Sequence, residues 1–69
     1  TFTVDEEKRQ AIVRDLSVDG ARIAYKGYAI PIETILDFNL DRLNIHRPAM
    51  AVWTKQHDPK TSQSGLRLL

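Results

Sequence analysis

The 69-residue chain is predicted to fold as a small all-β barrel or sandwich. Apolar and polar residues alternate along "IETILDFNL", which puts Ile32, Thr34, Leu36, Phe38 and Leu40 on one face of a strand. Turn-forming residues also recur at roughly the 8–12-residue spacing that is typical of small barrels and sandwiches. Together the two patterns favour short antiparallel strands around one core.

The first half of the chain supplies three further predicted strands. "TFTV" is a short β-rich run, and the polar "DEEKR" after it is expected to be a connecting turn. "QAIVRDL" is rich in β-branched and apolar residues, and "ARIAY" alternates with Ala21, Ile23 and Tyr25 on one side. These runs predict two neighbouring strands joined by a turn.

The second half continues in the same way. "LNIHR" is expected to turn Leu43 and Ile45 inward, and "AMAVWTK" is a further apolar run. "HDPKTSQSG" reads as a turn-rich loop, and "LRLL" as the closing strand. An alternative remains for the N-terminal segment, because "VDEEKRQAIVRDL" also fits an amphipathic helix opened by an Asp cap.

Composition limits the classes of function. The net charge is +1, from ten basic and nine acidic residues, which argues against a broad nucleic-acid surface but permits a local cluster for a small anion. The chain has no cysteine, so disulfides and thiol chemistry are excluded. No run has the length of a membrane span and no signal peptide opens the chain, so we expect a cytoplasmic domain, free or attached to a membrane-associated protein.

Residues 1–69 are expected to form a single domain, and the start at Thr1 suggests part of a longer protein. No Ser-His-Asp or paired-carboxylate arrangement stands out, so an enzyme is not expected. His46 and His57 lie eleven residues apart without a cysteine nearby, so no metal site is expected either.

One motif carries a more specific prediction. "DLSVDGARI", within "RDLSVDGARI" from Arg14 to Ile23, resembles the second signature of PilZ domains, D-x-S-x-x-G followed by Ala and an apolar strand. "AVWTK" and "SGLRLL" resemble the later strands of that family, so the resemblance covers about residues 11–69. It implies a six-stranded antiparallel β-barrel and a bacterial regulatory domain that binds the second messenger cyclic di-GMP and signals to an attached domain or partner protein.

The resemblance also assigns the candidate ligand-binding residues. An ionised Asp15 can accept hydrogen bonds from guanine N1–H and the N2 amine, and Ser17 can donate or accept beside it. Gly20 would permit a positive φ and a close approach of the backbone to the ligand. Arg14 is the nearest candidate for the phosphates, since guanidinium groups bind them bidentately. Trp53 is a candidate ligand wall, although an apolar strand favours it as a core residue.

The chain departs from the family in one respect. PilZ domains that bind cyclic di-GMP carry an Arg-x-x-x-Arg signature before the first barrel strand, and Lys8, Arg9 and Arg14 have neither its spacing nor its position. Two functions therefore stay open. The domain is a cyclic di-GMP receptor whose arginine pair lies upstream of Thr1, or a degenerate domain that binds protein through its barrel face or its edge strands.

A rival resemblance uses other residues. "DFNLDRLNI" is similar to the strand after the binding loop in small serine-protease inhibitors of the potato type I and related bacterial families. That alternative needs a helix over residues 5–16 and an exposed loop over residues 30–37. It leaves Trp53 and the last fifteen residues without a role, so we favour the barrel.

Overall fold

The computed structural model describes all 69 residues and shows an all-β protein, which confirms the predicted fold class. It has seven strands where six were expected, and one 3-10 turn at Asp41–Leu43. There is no α-helix, so the helical alternative for the N-terminal segment is wrong. In chain order the strands are β1 (Phe2–Val4), β2 (Glu7–Arg9), β3 (Ala11–Leu16), β4 (Gly20–Lys26), β5 (Ile35–Leu40), β6 (Ile45–Asp58) and β7 (Thr61–Leu68).

The seven strands form one antiparallel sheet in the order β2-β1-β5-β6-β7-β4-β3. The two edge strands, β2 and β3, do not pair with each other. The sheet therefore curls into a half-barrel that is open between its edges. β2, of three residues, pairs only with β1, and β3, of six residues, pairs only with β4.

The concave face of the sheet holds the core, and the alternation in the sequence predicts much of it. Ala21, Ile23 and Tyr25 of β4 are buried, as are Leu36 and Phe38 of β5. Successive side chains of a strand point to opposite faces, so the buried residues of β4 and β5 alternate with less buried ones. The remaining buried apolar residues are Phe2, Ile30, Ala49, Ala51, Leu66 and Leu68.

The ends of the predicted strands differ from the structure at two apolar residues. Ile32 was expected inside, but β5 begins only at Ile35, and Ile32 lies exposed in the preceding turn. Glu33 in that turn has a φ of 74°, a left-handed conformation that interrupts the alternation. Leu43 was also expected inside and is exposed, because the chain forms a 3-10 turn at that point.

The polar segment "DEEKR" is not only a turn. Its turn consists of Asp5 and Glu6, whose φ angles of 49° and 67° are both positive, as in the two-residue hairpin turns that suit twisted strands. Glu7–Arg9 pairs with β1 as the edge strand β2. Charged side chains on so short an edge strand also discourage pairing with other chains.

The predicted loop "HDPKTSQSG" is mostly strand. Only Pro59 and Lys60 separate β6 from β7. The Asp58 carboxylate accepts hydrogen bonds from the backbone N–H groups of Lys60 (2.8 Å) and Thr61 (2.9 Å). The N–H of Lys60 is the largest cause that lowers the pKa of Asp58 below 3.8. This support for the hairpin is therefore complete above pH 3.8 and is lost as pH falls through the lowered pKa.

Buried hydroxyl groups tie the loop between β4 and β5 to the sheet. The Ile30 N–H donates to Tyr25 Oη (2.8 Å), and the Ile30 carbonyl accepts from Thr54 Oγ1 (2.6 Å). Ser64 Oγ lies 2.7 Å from Tyr25 Oη and 2.6 Å from Thr54 Oγ1. Since the Thr54 proton goes to Ile30, Ser64 must donate to Thr54 and accept from Tyr25. The four groups form one directed ring with every buried partner satisfied.

A single arginine spans the open side of the half-barrel. The guanidinium of Arg9, on edge strand β2, donates to the carbonyl oxygens of Lys26, the last residue of β4, and of Tyr28 just after it. The same group lies 5.4 Å from the Phe2 ring centre and 4.9 Å from that of Tyr25. The Phe2 and Tyr25 rings pack edge to face, with their centres 5.2 Å apart. Arg9 thus joins the two sides of the sheet through hydrogen bonds and cation–π contacts.

Glycine is required where the chain leaves β4. Gly27 has a φ of 97°, which disfavours other residues, and a Cβ there would lie 2.7 Å from Nη2 of Arg9. The Gly27 N–H donates to the Lys60 carbonyl (2.9 Å), and its carbonyl accepts from Ser62 Oγ (2.9 Å). The turn is therefore fixed from the β6–β7 hairpin as well as from β2.

The hydroxyl ring predicts an asymmetry between the two tyrosines. Tyr25→Phe leaves the buried Ile30 N–H without its acceptor and should lower the free energy of unfolding by about 1–3 kcal/mol. Tyr28→Phe is the matched control, since Tyr28 is 89% exposed and its hydroxyl makes no hydrogen bond. Denaturant unfolding followed by circular dichroism measures both. Equal stabilities of the two variants would contradict a structural role for the ring.

Candidate functional site

Four residues form a row across the outer, convex face of the sheet. Asp15 of β3 pairs with Arg22 of β4, Arg22 with Gly65 of β7, and Gly65 with Trp53 of β6. Their side-chain positions share the face opposite the core, because Ala21, Ile23, Ser64 and Leu66 alternate with them and are buried. We call Asp15, Arg22, Gly65 and Trp53 the outer row.

An ion pair stands at one end of the outer row. Nη2 of Arg22 lies 2.8 Å from Oδ2 of Asp15, and both side chains are about half exposed, at 47% and 68%. An exposed pair of this kind contributes little to stability. Only one carboxylate oxygen is engaged by Arg22, so the other can accept hydrogen bonds from a ligand. Arg22 was not predicted as a site residue, although its place in the sequence between the inward Ala21 and Ile23 indicates the outer face.

Arg14 lies in a β-bulge beside this pair. The register between β3 and β4 shifts between Val13 and Asp15, so Arg14 is the extra residue of edge strand β3. Its side chain is exposed and makes no hydrogen bond or ion pair. The bulge also sets the register that places Asp15 opposite Arg22 on the outer face.

Ser17 and Gly20 belong to the turn between β3 and β4. The Ser17 N–H donates to the Gly20 carbonyl (2.8 Å), and Ser17 Oγ lies 3.3 Å from the same carbonyl and 3.4 Å from Asp19 Oδ1. The hydroxyl is thus engaged inside the turn. Gly20 does not have the expected positive φ. Its lack of a side chain serves packing, because a Cβ would lie 3.2 Å from the Leu66 carbonyl oxygen.

Trp53 is not a core residue, which corrects the preference drawn from its apolar strand. The register between β6 and β7 shifts between Ala51 and Trp53, and this bulge turns the indole to the outer face. Trp53 is 40% exposed and lies over Gly65, where a Cβ would be 2.0 Å from the indole Nε1. One indole face is therefore supported by the sheet. The arrangement is that of a ring held against a glycine backbone.

Charge is unevenly distributed over the strands, despite the net charge of +1. Strands β3, β4, β6 and β7 carry six of the ten basic residues but only two of the nine acidic ones. Such a basic surface favours an anionic ligand. The basic residues are Arg14, Arg22, Lys26, Arg47, Lys55 and Arg67, and the acidic ones are Asp15 and Asp58.

The structure brings the five predicted site residues into two groups. Asp15, Arg14 and Trp53 lie on or beside the outer row, while Ser17 and Gly20 form the turn that follows Asp15. His, Asp and Glu side chains form no group of three that could hold a metal ion. None of the chain's elements is a helix with the length and apolar character needed to cross a membrane.

The contact between Trp53 and Gly65 predicts a coupled response to substitution. Gly65→Ala should clash with the indole and lower the free energy of unfolding by about 1–3 kcal/mol. In a Trp53→Ala background the same change should be neutral or stabilising, since alanine lowers the entropy of the unfolded chain. Denaturant unfolding of the two single variants and the double variant measures the coupling. The same cost in both backgrounds would show that the indole does not rest on Gly65.

Comparison of the chain with protein-family models, with curated proteins and with solved structures found no match. The function proposed next therefore rests on the outer row, on the distribution of charge and on the motif from Asp15 to Gly20.

Proposed function

We propose that the chain is a cyclic di-GMP receptor domain that binds the nucleotide on its outer row and relays the signal to an attached domain or partner protein. The observation that carries the proposal is the outer row itself, where a carboxylate, a guanidinium and a supported indole share one face. The motif residues Ser17 and Gly20 form the turn behind it. The role is one of binding, not of catalysis.

Each end of the outer row suits a different part of the nucleotide. Asp15 can accept from the two donors on the Watson–Crick edge of guanine, and Arg22 beside it offers a planar guanidinium for stacking or for a phosphate. Trp53 offers the exposed face of its indole to the second base. Three interstrand steps separate Asp15 from Trp53, about 14 Å. A ligand with two bases can contact both ends.

The phosphates require further cations. Arg14 and Arg22 supply two guanidinium groups near Asp15. The Arg-x-x-x-Arg pair of nucleotide-binding PilZ domains is absent from these 69 residues. We therefore expect weak binding by the 69 residues alone and tighter binding by a chain extended upstream, if that extension carries the pair.

Calorimetric titration with cyclic di-GMP tests the proposal. Asp15→Ala removes a charged hydrogen-bond acceptor worth about 1.5–3 kcal/mol and should weaken binding tenfold or more. Asp37→Ala is the matched control, since Asp37 is an exposed carboxylate on β5, away from the outer row. No binding by the extended wild-type chain at high micromolar nucleotide would overturn the proposal. Equal binding by the Asp15→Ala variant would remove Asp15 from the site.

A second candidate function is protein binding at the open edge of the half-barrel. Strand β3 has a free edge, and an opening of about 320 Å³ beside it is lined by Val13, Leu16, Leu40 and Leu43, among others. An extended segment of a partner can add to such an edge and place apolar side chains in the opening. The same titration separates the candidates, because a protein-binding domain of this kind leaves cyclic di-GMP unbound.

A further inference from the structure

A second cleft lies at the end of β3 and β4 that is remote from the Ser17–Gly20 turn. It has a volume of about 720 Å³, within the range of small-molecule sites. The start of β3, the end of β4 and the β6–β7 hairpin line it. Of the residues predicted from the PilZ-like motif, only Arg14 lines this cleft.

The charged side chains of the cleft lining are all basic. Arg9, Arg14, Lys26 and His57 contribute to it, and no Asp or Glu does. The guanidinium of Arg9 is engaged by backbone carbonyls, but the side chains of Arg14, Lys26 and His57 make no hydrogen bond and no ion pair. Three exposed cationic or hydrogen-donating groups thus face one cleft without a protein acceptor.

The nearest carboxylate in the hairpin does not neutralise them. Asp58 follows His57 directly, but its Oδ1 accepts from the N–H groups of Lys60 and Thr61. Those hydrogen bonds lower the pKa of Asp58 and hold its carboxylate in the turn, so Asp58 adds one negative charge beside the Arg9, Arg14 and Lys26 cations of the lining. The cleft therefore retains a local excess of positive charge, which favours an anionic ligand.

The floor of the cleft offers apolar surface for the uncharged part of an organic ligand. Ile12, Ala24 and Gln63 are cross-strand neighbours on the outer face. Ala24 is the smallest of the three, so it forms a depression between an exposed isoleucine and an amide. An apolar surface with a few polar groups at its edge is the usual composition of a small-ligand site.

We propose that this cleft is a second binding site, for a small organic anion whose phosphate or carboxylate groups lie between Arg14, Lys26 and His57. Guanidinium, ammonium and imidazole N–H groups are the donors that such oxyanions need. The centre of this site is displaced from the outer row, since Lys26 lies four residues beyond Arg22 on β4, about 13 Å along the strand, and Arg14 is the one residue that lies beside both. It does not depend on cyclic di-GMP binding.

Amide chemical shifts of the 69-residue chain, followed by NMR during titration, test this site. The probes are adenosine 5′-monophosphate, pyrophosphate and citrate, which separate a phosphorylated from a carboxylated ligand. We expect at least one probe to shift resonances of residues 24–26, 57 and 61–63 with saturation below about 1 mM. The double variant K26M/H57Q should weaken that binding tenfold or more.

Two controls make the result specific. K8M/H46Q removes the same two residue types outside the cleft, with Lys8 on β2 and His46 at the opposite end of β6 from His57, and should bind like the wild type. Arg22→Ala, which disrupts the outer row, should also leave this binding unchanged, so failure of this site is distinguishable from failure of the nucleotide proposal. No saturable shift with any probe up to 10 mM (roughly 2.7 kcal/mol of affinity, by RT ln Kd) would overturn the site. If K26M/H57Q and K8M/H46Q weaken binding of the probe equally, the attraction is a nonspecific charge effect. That result would also overturn the site.

Discussion

The fold depends on side chains that reach across the open side of the half-barrel, where no backbone hydrogen bonds join the edge strands β2 and β3. Arg9 reaches from edge strand β2 to carbonyls at and just beyond the end of β4, and its guanidinium lies over the rings of Phe2 and Tyr25. The hydroxyl of Tyr25 then enters the ring of hydrogen bonds that fixes the loop at Ile30. Packing, loop position and curvature of the sheet are therefore coupled at one place. A chain of 69 residues has a small core, so such coupling matters more than in a larger domain.

The parts of the fold that depend on local alternation could be predicted from the sequence. Leu36 and Phe38 are buried because side chains alternate along a strand, which is a property of neighbouring residues. The role of Arg9 could not be predicted, since its partners lie 17 and 19 residues away. The burial of Ser64 is nonlocal in the same way, because its acceptor and donor come from other strands. For that reason the polar segment "HDPKTSQSG", which contains Ser64, was expected to be a loop.

The same distinction between local and nonlocal features applies to the candidate site. The motif identified Asp15 and the turn after it, because those residues are close in sequence. The face of Trp53 depends on a bulge, and a shift of one residue moves a side chain from one face to the other. Bulges in β3 and β6 together set the outer row. Arg22 enters the row only through its pairing with β3. The pairing register of the strands thus brings the site residues together. The basic residues on these strands favour an anionic ligand.

The central functional claim is that a nucleotide lies along the outer row. Intermolecular nuclear Overhauser effects between cyclic di-GMP and the protein test it most directly, in the chain extended upstream if the 69 residues bind too weakly. If the nucleotide lies there, contacts are expected from a guanine H8 or ribose proton to the indole protons of Trp53, which is exposed on this face. Contacts only to the edge of β3, or binding with no contact to Trp53, would contradict the claim.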